Sequence, residues 1–372
     1  MTLQHARRYR TWLAAIGALT LATLVAAQTP PKGEASDFPC DVRTTERIVA
    51  IGDVHGAYTQ FVAILRAAGL IDQRDRWVGQ KTVFVQTGDI LDRGPDSRKA
   101  IDLIRRLERD AQRAGGRVYP LLGNHELMRL VDDWRYVSAG ELDGFKNGDS
   151  IDLRDRAIAI FGAEAEKQAK AADKPWDAEA YRQRFIKDIP LGYLEMKQAF
   201  GPMGDYGKWV RARPAVARVN GIVFMHGGVS SAVAPLGCEG INQAVRKDLA
   251  SLPVPLEQVP MLFSASETGP LWYRGLATDS EETLAPALET IMMQMGARGF
   301  VIGHTTSPNR IVTRFGGRVI QIDSGMVAGE FYPGGAPSAL ELRGNSATAI
   351  YLDRKEPLTV PALSSPTSAA AR

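Results

Sequence analysis

Five short apolar runs in this chain each stop at a polar residue able to bind a metal, and that repetition constrains the fold more than any other feature. Ile48-Val49-Ala50-Ile51 leads into Gly52-Asp53-Val54-His55-Gly56, and Val83-Phe84-Val85 precedes Gly88-Asp89-Ile90-Leu91-Asp92-Arg93-Gly94. Val118–Leu122 leads into Gly123-Asn124-His125-Glu126. Ile222–Met225 ends in His226-Gly227-Gly228, and Phe300–Ile302 in Gly303-His304. Such runs read as buried strands. In open α/β sheets ligands gather at the carboxyl ends of the strands, so these five ends bring three histidines, two acids and an asparagine to one place. The glycine before each of Asp53, Asp89, Asn124 and His304 is expected to ease a tight turn where the strand stops.

Helical stretches alternate with the first strands: Tyr58–Ala68, then Ser97–Ala114 with Ile101, Ile104 and Leu107 on one face, then a helix beginning near Leu127. The spacing fits βαβ units and an α/β fold with a substantial buried sheet. Residues 138–215 differ. Arg154–Ala172 and Ala178–Lys187 read as amphipathic helices, separated by Pro175 and followed by Pro190. They form a helical insertion beside the site, either a substrate-facing cap or a packing element. Four β-type segments close the chain: Arg310–Phe315, Arg318–Ile322, Ala339–Leu342 and Ala347–Leu352.

The N-terminus has the plan of a secretory signal. Arg7, Arg8 and Arg10 precede an apolar run from Trp12 to Ala27, which ends in small residues and is too short to span a bilayer. Cleavage near Ala27 would place the mature protein in the periplasm or outside the cell, with no stable membrane insertion. It would also remove three arginines and no acids, leaving 42 basic against 42 acidic residues. A nucleic-acid partner calls for a basic excess, and none is left. Residues 28–45 read as a leader, 46–355 as the catalytic domain, and 356–372 as a disordered tail. Cys40 and Cys238 could be bridged in an oxidising compartment or could be two thiols; the sequence leaves both open.

Of the five histidines, His5 lies in the signal and the other four all fall in the strand-end motifs. Mixed nitrogen and oxygen ligands suit manganese, iron or zinc, and an all-oxygen calcium site is not what these residues build.

Gly-Asp-Val-His-Gly, Gly-Asp-Ile-Leu-Asp-Arg-Gly and Gly-Asn-His-Glu resemble the three signatures of the PPP-type phosphatases, within the calcineurin-like metallophosphoesterases. Leu-Leu-Gly-Asn-His-Glu-Leu-Met, the following Asp133–Ser138, and Gly269–Arg274 look most like the Shewanella-like branch. The resemblance implies a β-sandwich flanked by helices in α/β/β/α layers. It implies two metal ions, manganese first and iron or zinc as alternatives, held by Asp53, His55, Asp89, Asn124, His226 and His304. Arg93 would bind the phosphoryl group with Arg274 as a second arginine, and His125 would protonate the leaving oxygen with Asp92 orienting it. The implied reaction is in-line attack of a metal-bridging hydroxide on a phosphomonoester, with phosphorylated protein (phosphotyrosine, phosphoserine or phosphothreonine) as substrate. Competing readings are a nucleotide or dinucleoside polyphosphate hydrolase, and a metal-binding protein whose catalysis has decayed.

Overall fold

The computed structural model describes residues 38–360. Among the described residues, twelve strands form two six-stranded sheets. The first holds, in spatial order, β12 (Lys355–Leu358), β11 (Ser346–Ile350), β10 (Ala339–Arg343), β2 (Ile48–Ile51), β3 (Val83–Gln86) and β4 (Arg117–Pro120). The second holds β1 (Asp41–Val42), β5 (Val216–Val219), β6 (Ile222–Met225), β7 (Gly299–Ile302), β9 (Val319–Gln321) and β8 (Val312–Arg314). Strands β2, β3 and β4 run parallel, as do β6, β7 and β9, while the pairs β5–β6, β8–β9 and β10–β11 run antiparallel.

The side-chain alternation of these strands shows why they are apolar throughout. Ile48, Ala50, Val83 and Val85 face Ile222, Phe224, Val301 and Ile320 in a core shared by the two sheets. Val49, Ile51, Phe84, Val223, Met225, Phe300 and Ile302 point the other way, into cores shared with helices. The result is the helix-flanked sandwich expected from the resemblance. Helices α1 (Tyr58–Ala67) and α2 (Ser97–Arg113) connect β2, β3 and β4, and bury Phe61, Ile64, Ile101, Ile104 and Leu107. The short α3 (Asn124–Leu130) follows β4 and is buried along its whole length.

The insertion comprises α4 (Ala139–Asp143), α5 (Ser150–Ala171), α6 (Ala178–Asp188), α7 (Tyr193–Phe200) and α8 (Asp205–Arg211). It anchors on α2: Arg98 donates to Gly144 C=O at 2.7 Å, and Trp209 Nε1 donates to Glu108 at 2.8 Å. Two further helices, α9 (Gly237–Ser251) and α11 (Glu281–Met295), lie on either side of the four-residue α10 (Gly275–Thr278) in sequence. Among the described residues no helix is long and apolar enough to cross a membrane.

Two boundaries differ from expectation. Residues 38–45 of the stretch taken as a leader belong to the fold, because β1 pairs with β5 and Cys40 is bridged to Cys238 in α9, and residues 28–37 lie outside the described residues. The stretch taken as a disordered tail begins too early, because Lys355–Leu358 pairs with β11. Pro357 is tolerated there because β12 is an edge strand, where a missing N–H costs no ladder bond. The signal at 1–27 and the tail beyond residue 360 lie outside the described residues.

Candidate metal centre

All six candidate ligands sit just past the carboxyl ends of β2, β3, β4, β6 and β7, and all are buried. Three of these ends come from one sheet and two from the other, so the centre lies where the two sheets meet rather than along one open sheet. Asp89 is central: its Oδ2 lies 3.3 Å from His226 Nε2, 3.5 Å from His55 Nε2 and 3.8 Å from His125 Nε2. Asp53 Oδ2 is 3.8 Å from the same His55 nitrogen. His226 Nε2 also faces Asn124 Oδ1 at 2.9 Å and His304 Nδ1 at 3.1 Å.

The hydrogen bonds behind the rings decide which nitrogens carry lone pairs. His55 Nδ1 donates to Leu91 C=O at 2.9 Å, His226 Nδ1 to Thr87 C=O at 3.0 Å, and His304 Nε2 to Trp272 C=O at 3.2 Å. This leaves acceptor nitrogens of His55 and His226 facing Asp89 and that of His304 facing His226 Nε2, and such backing is the support that metal-ligating histidines characteristically have. Imidazole lone pairs, a carboxylate and an amide oxygen therefore converge, and the Arg93 guanidinium reaches their edge, with Nη1 2.5 Å from His55 Nε2. A cation satisfies such a set, so these residues fit the divalent metals that the fold implies.

The electrostatics agree. Burial, then the neighbouring His125, pushes His55 well below the ordinary histidine range, and burial with His226 beside it holds His304 at about 2. Neutral imidazole is the ligating form. Burial, then Asp323 and Asp89 beside it, pushes Asp53 well up. His125 differs: burial opposes its charged form, but Asp89 and the Asp92 hydrogen bond overcome this and raise its pKa. His125 is close enough to His55 and Asp89 to count as a donor to the same ion. What sets it apart is its Nδ1, which bonds a carboxylate, Asp92 Oδ2 at 2.7 Å, instead of a backbone carbonyl.

Five of the residues at or beside the centre are non-glycine residues with left-handed backbone: His55, Asp89, Asp92, Arg93 and His304, with φ between 47° and 69°. Strain of this kind collects at functional sites. Of the four glycines expected to ease turns, only Gly88 has positive φ. Gly123 and Gly303 instead make room, since a Cβ would stand 2.1 Å from Asp89 Oδ1 and 2.4 Å from Asp53 Oδ1.

A cleft of about 260 Å³ opens above the centre, lined by Asp89, Asn124, His125 and His304 together with both candidate arginines, Arg93 and Arg274. Arg274 is fixed by donating to His304 C=O at 2.7 Å and Thr305 Oγ1 at 3.1 Å. Arg93 Nη1 donates to the Tyr332 hydroxyl, and its guanidinium lies 5.0 Å from the Tyr332 ring, 5.4 Å from Tyr136 and 6.0 Å from Phe331. No residue of 138–215 lines this cleft.

Several participants have no counterpart in the sequence reading. Glu126 accepts from the backbone of Asp89 and Ile90, each at 2.8 Å, and ties the second motif to the third. Its place inside Gly-Asn-His-Glu was the available signal. Arg129, in the last turn of the same short helix, bonds Asp92. Tyr332 had no local signal.

The chain belongs to the calcineurin-like phosphoesterase family, whose pattern matches residues 46–306. It is 32% identical over 331 residues to Shewanella-like protein phosphatase 2 of Arabidopsis thaliana, covering 82% of this chain and 77% of that one. Shewanella-like protein phosphatase 1 of Plasmodium berghei is 25% identical over 316 residues, 84% of this chain and 76% of that one. Among solved structures, a cold-active protein tyrosine phosphatase superposes with a TM-score of 0.64 at 25% identity, covering 88% of this chain and 83% of that one. The protein is thus a metallophosphoesterase of the Shewanella-like phosphatase type.

Proposed function

We propose that the protein is an exported, two-metal phosphomonoesterase that acts on phosphorylated protein and accepts phosphotyrosine. The observation that carries this reading is one cleft holding the converged acceptors, two arginines and a carboxylate-oriented histidine. Asp53, His55 and Asp89 would hold one metal ion, and Asp89, Asn124, His226 and His304 the second, with manganese proposed first. When bound, the metals supply Lewis acidity and lower the pKa of water enough for attack at neutral pH. Arg93 and Arg274 bind and orient the phosphoryl oxygens, a task suited to planar donor forks. His125 gives its Nε2 proton to the leaving oxygen, and Asp92 keeps the ring in the tautomer that can do so.

Two observations bear on substrate and place. Tyr136, Trp272 and Tyr332 line the cleft and offer aromatic faces to an aryl ester. The Cys40–Cys238 bridge supports an oxidising compartment, consistent with cleavage of the segment 1–27 on export. The test is kcat/KM of manganese-loaded protein on phosphotyrosine peptide, phosphoserine peptide, ATP and a dinucleoside tetraphosphate. The reading expects a phosphopeptide to be preferred. A nucleotide preferred by more than about tenfold, which is ~1.4 kcal/mol in transition-state binding, overturns it. Failure to turn over any ester would favour a decayed enzyme.

A further inference from the structure

Beneath the cleft, Asp92 is held from three directions. Its Oδ2 accepts from His125 Nδ1 at 2.7 Å, its Oδ1 accepts from Arg129 Nη2, and its backbone N–H donates to Glu141 Oε1 at 3.3 Å. Arg129 and Glu141 are buried and line no part of the cleft. The Arg129 guanidinium lies 4.2 Å over the Trp134 ring, and Trp134 is backed at 4.4 Å by Tyr193 of the insertion. Glu141 belongs to α4, the first helix of the insertion.

The turn that carries Asp92 and Arg93 needs outside support. Both residues have left-handed backbone, at φ 69° and 67°, which L-residues adopt at a cost. The start of the insertion and the residues just before it supply the support. Arg93 N–H donates to Tyr136 C=O at 2.8 Å, and Ser138 Oγ donates to Gly94 C=O at 2.9 Å. Gly140 lies directly on Pro95, since a Cβ there would stand 2.5 Å from Pro95 Cβ. Packing alone does not account for the charges. Arg129 Nε and Nη1 find no hydrogen-bond partner among the described residues, and unpaired buried donors lower stability. An apolar side chain would pack at lower cost. The charge is retained where it meets the one carboxylate that orients His125.

We propose that Arg129 and Glu141 are positioning residues that fix Asp92 against His125, so that the first helix of the insertion takes part in protonating the leaving oxygen. The proposal rests on the phosphomonoesterase reading above. It is tested by dependence on the leaving group, because dinitrophenolate departs without a proton whereas phenolate needs one. Turnover of phenyl phosphate and of dinitrophenyl phosphate is measured on the full manganese-loaded protein, for wild type, Arg129→Met, Glu141→Ala, Arg129→Lys and Glu141→Gln. Arg129→Met and Glu141→Ala should lose at least about tenfold in kcat on phenyl phosphate and less than about threefold on dinitrophenyl phosphate. Arg129→Lys and Glu141→Gln, which keep the donor and the acceptor, should recover most of that loss. An independent readout is the low-field proton resonance of His125 Nδ1–H, kept in wild type and the conservative variants and displaced in Arg129→Met. Equal losses on the two esters, or no loss on either, overturns the proposal. If Arg129→Met does not fold, the Glu141 pair decides by the same ratio. Wild type that hydrolyses neither ester refutes the underlying reading and the proposal with it, a result visible before any variant is made.

Discussion

Gly123→Ala places a Cβ where the centre has no room for one. That atom would stand 2.1 Å from Asp89 Oδ1 and 2.3 Å from Asp89 N, against about 3.4 Å for ordinary contact. Roughly 1 Å has to be found, and Asp89 cannot supply it by rotating its side chain, since its backbone nitrogen is also in the way. That nitrogen donates to Glu126 Oε2 at 2.8 Å, and Oδ1 accepts from His125 N–H at 3.0 Å, so both atoms are tethered. Gly123 itself has φ −103°, which alanine adopts freely, and the perturbation is therefore steric. Overpacking of this kind costs about 1–3 kcal/mol, while a shift of about 1 Å at a reacting centre costs on the order of 10²-fold in rate. The variant should lose about 10²-fold in kcat on an aryl phosphate, and its bound metal should fall with it. Gly148→Ala is the control, because nothing lies within 4 Å of its Cβ position. Elemental analysis beside turnover on the same preparations is the assay. Gly123→Ala with wild-type metal content and wild-type kcat would refute the placement of Asp89 at the heart of the centre.

Other outcomes follow from particular residues. His125→Ala should lower turnover by about 10²–10⁴-fold while metal stays bound, whereas Asp89→Ala should lose metal; equal metal loss in both contradicts the division of roles. Reducing the Cys40–Cys238 bridge opens a loop with a sequence separation of 198, for which the chain-entropy relation gives up to about 5 kcal/mol; calorimetry showing an unchanged Tm would contradict it. Burial and the nearby Asp92 charge raise Glu141 from 4.5 to about 7. Between those values the folded state holds a proton that the unfolded chain has lost, so stability should fall as pH rises across that window. The decline amounts to about 3 kcal/mol in all. Urea unfolding at several pH values should show that decline in wild type and not in Glu141→Gln, and parallel curves would exclude it.

The parts legible in the sequence were those carried by local pattern. Strands β2, β3, β6 and β7 are buried on both faces, so their apolar runs stand out and mark the motif that follows each. Strand β5 was missed despite Asn220-Gly221, which has the left-handed φ values of 53° and 77° that a two-residue hairpin turn requires. The helices α9 and α11 were also unread. In the site, the six candidate ligands were named from their motifs, whereas Glu126 inside the third motif was passed over although it ties that motif to the second. Contacts across long separations were not legible. Asp92 meets Glu141 across 49 residues and Arg93 meets Tyr332 across 239, and no local periodicity encodes which distant side chain arrives. The glycines beside the ligands were correctly singled out, but for the wrong reason at Gly123 and Gly303, where close approach and not turning excludes a side chain.

The central claim is that Asp53, His55, Asp89, Asn124, His226 and His304 hold two metal ions that the reaction needs. Elemental analysis of catalytically active protein tests it most directly. Two divalent ions per chain, with activity lost as they are chelated and restored by manganese, is the predicted result. Full phosphatase activity in protein carrying one ion or none would contradict it.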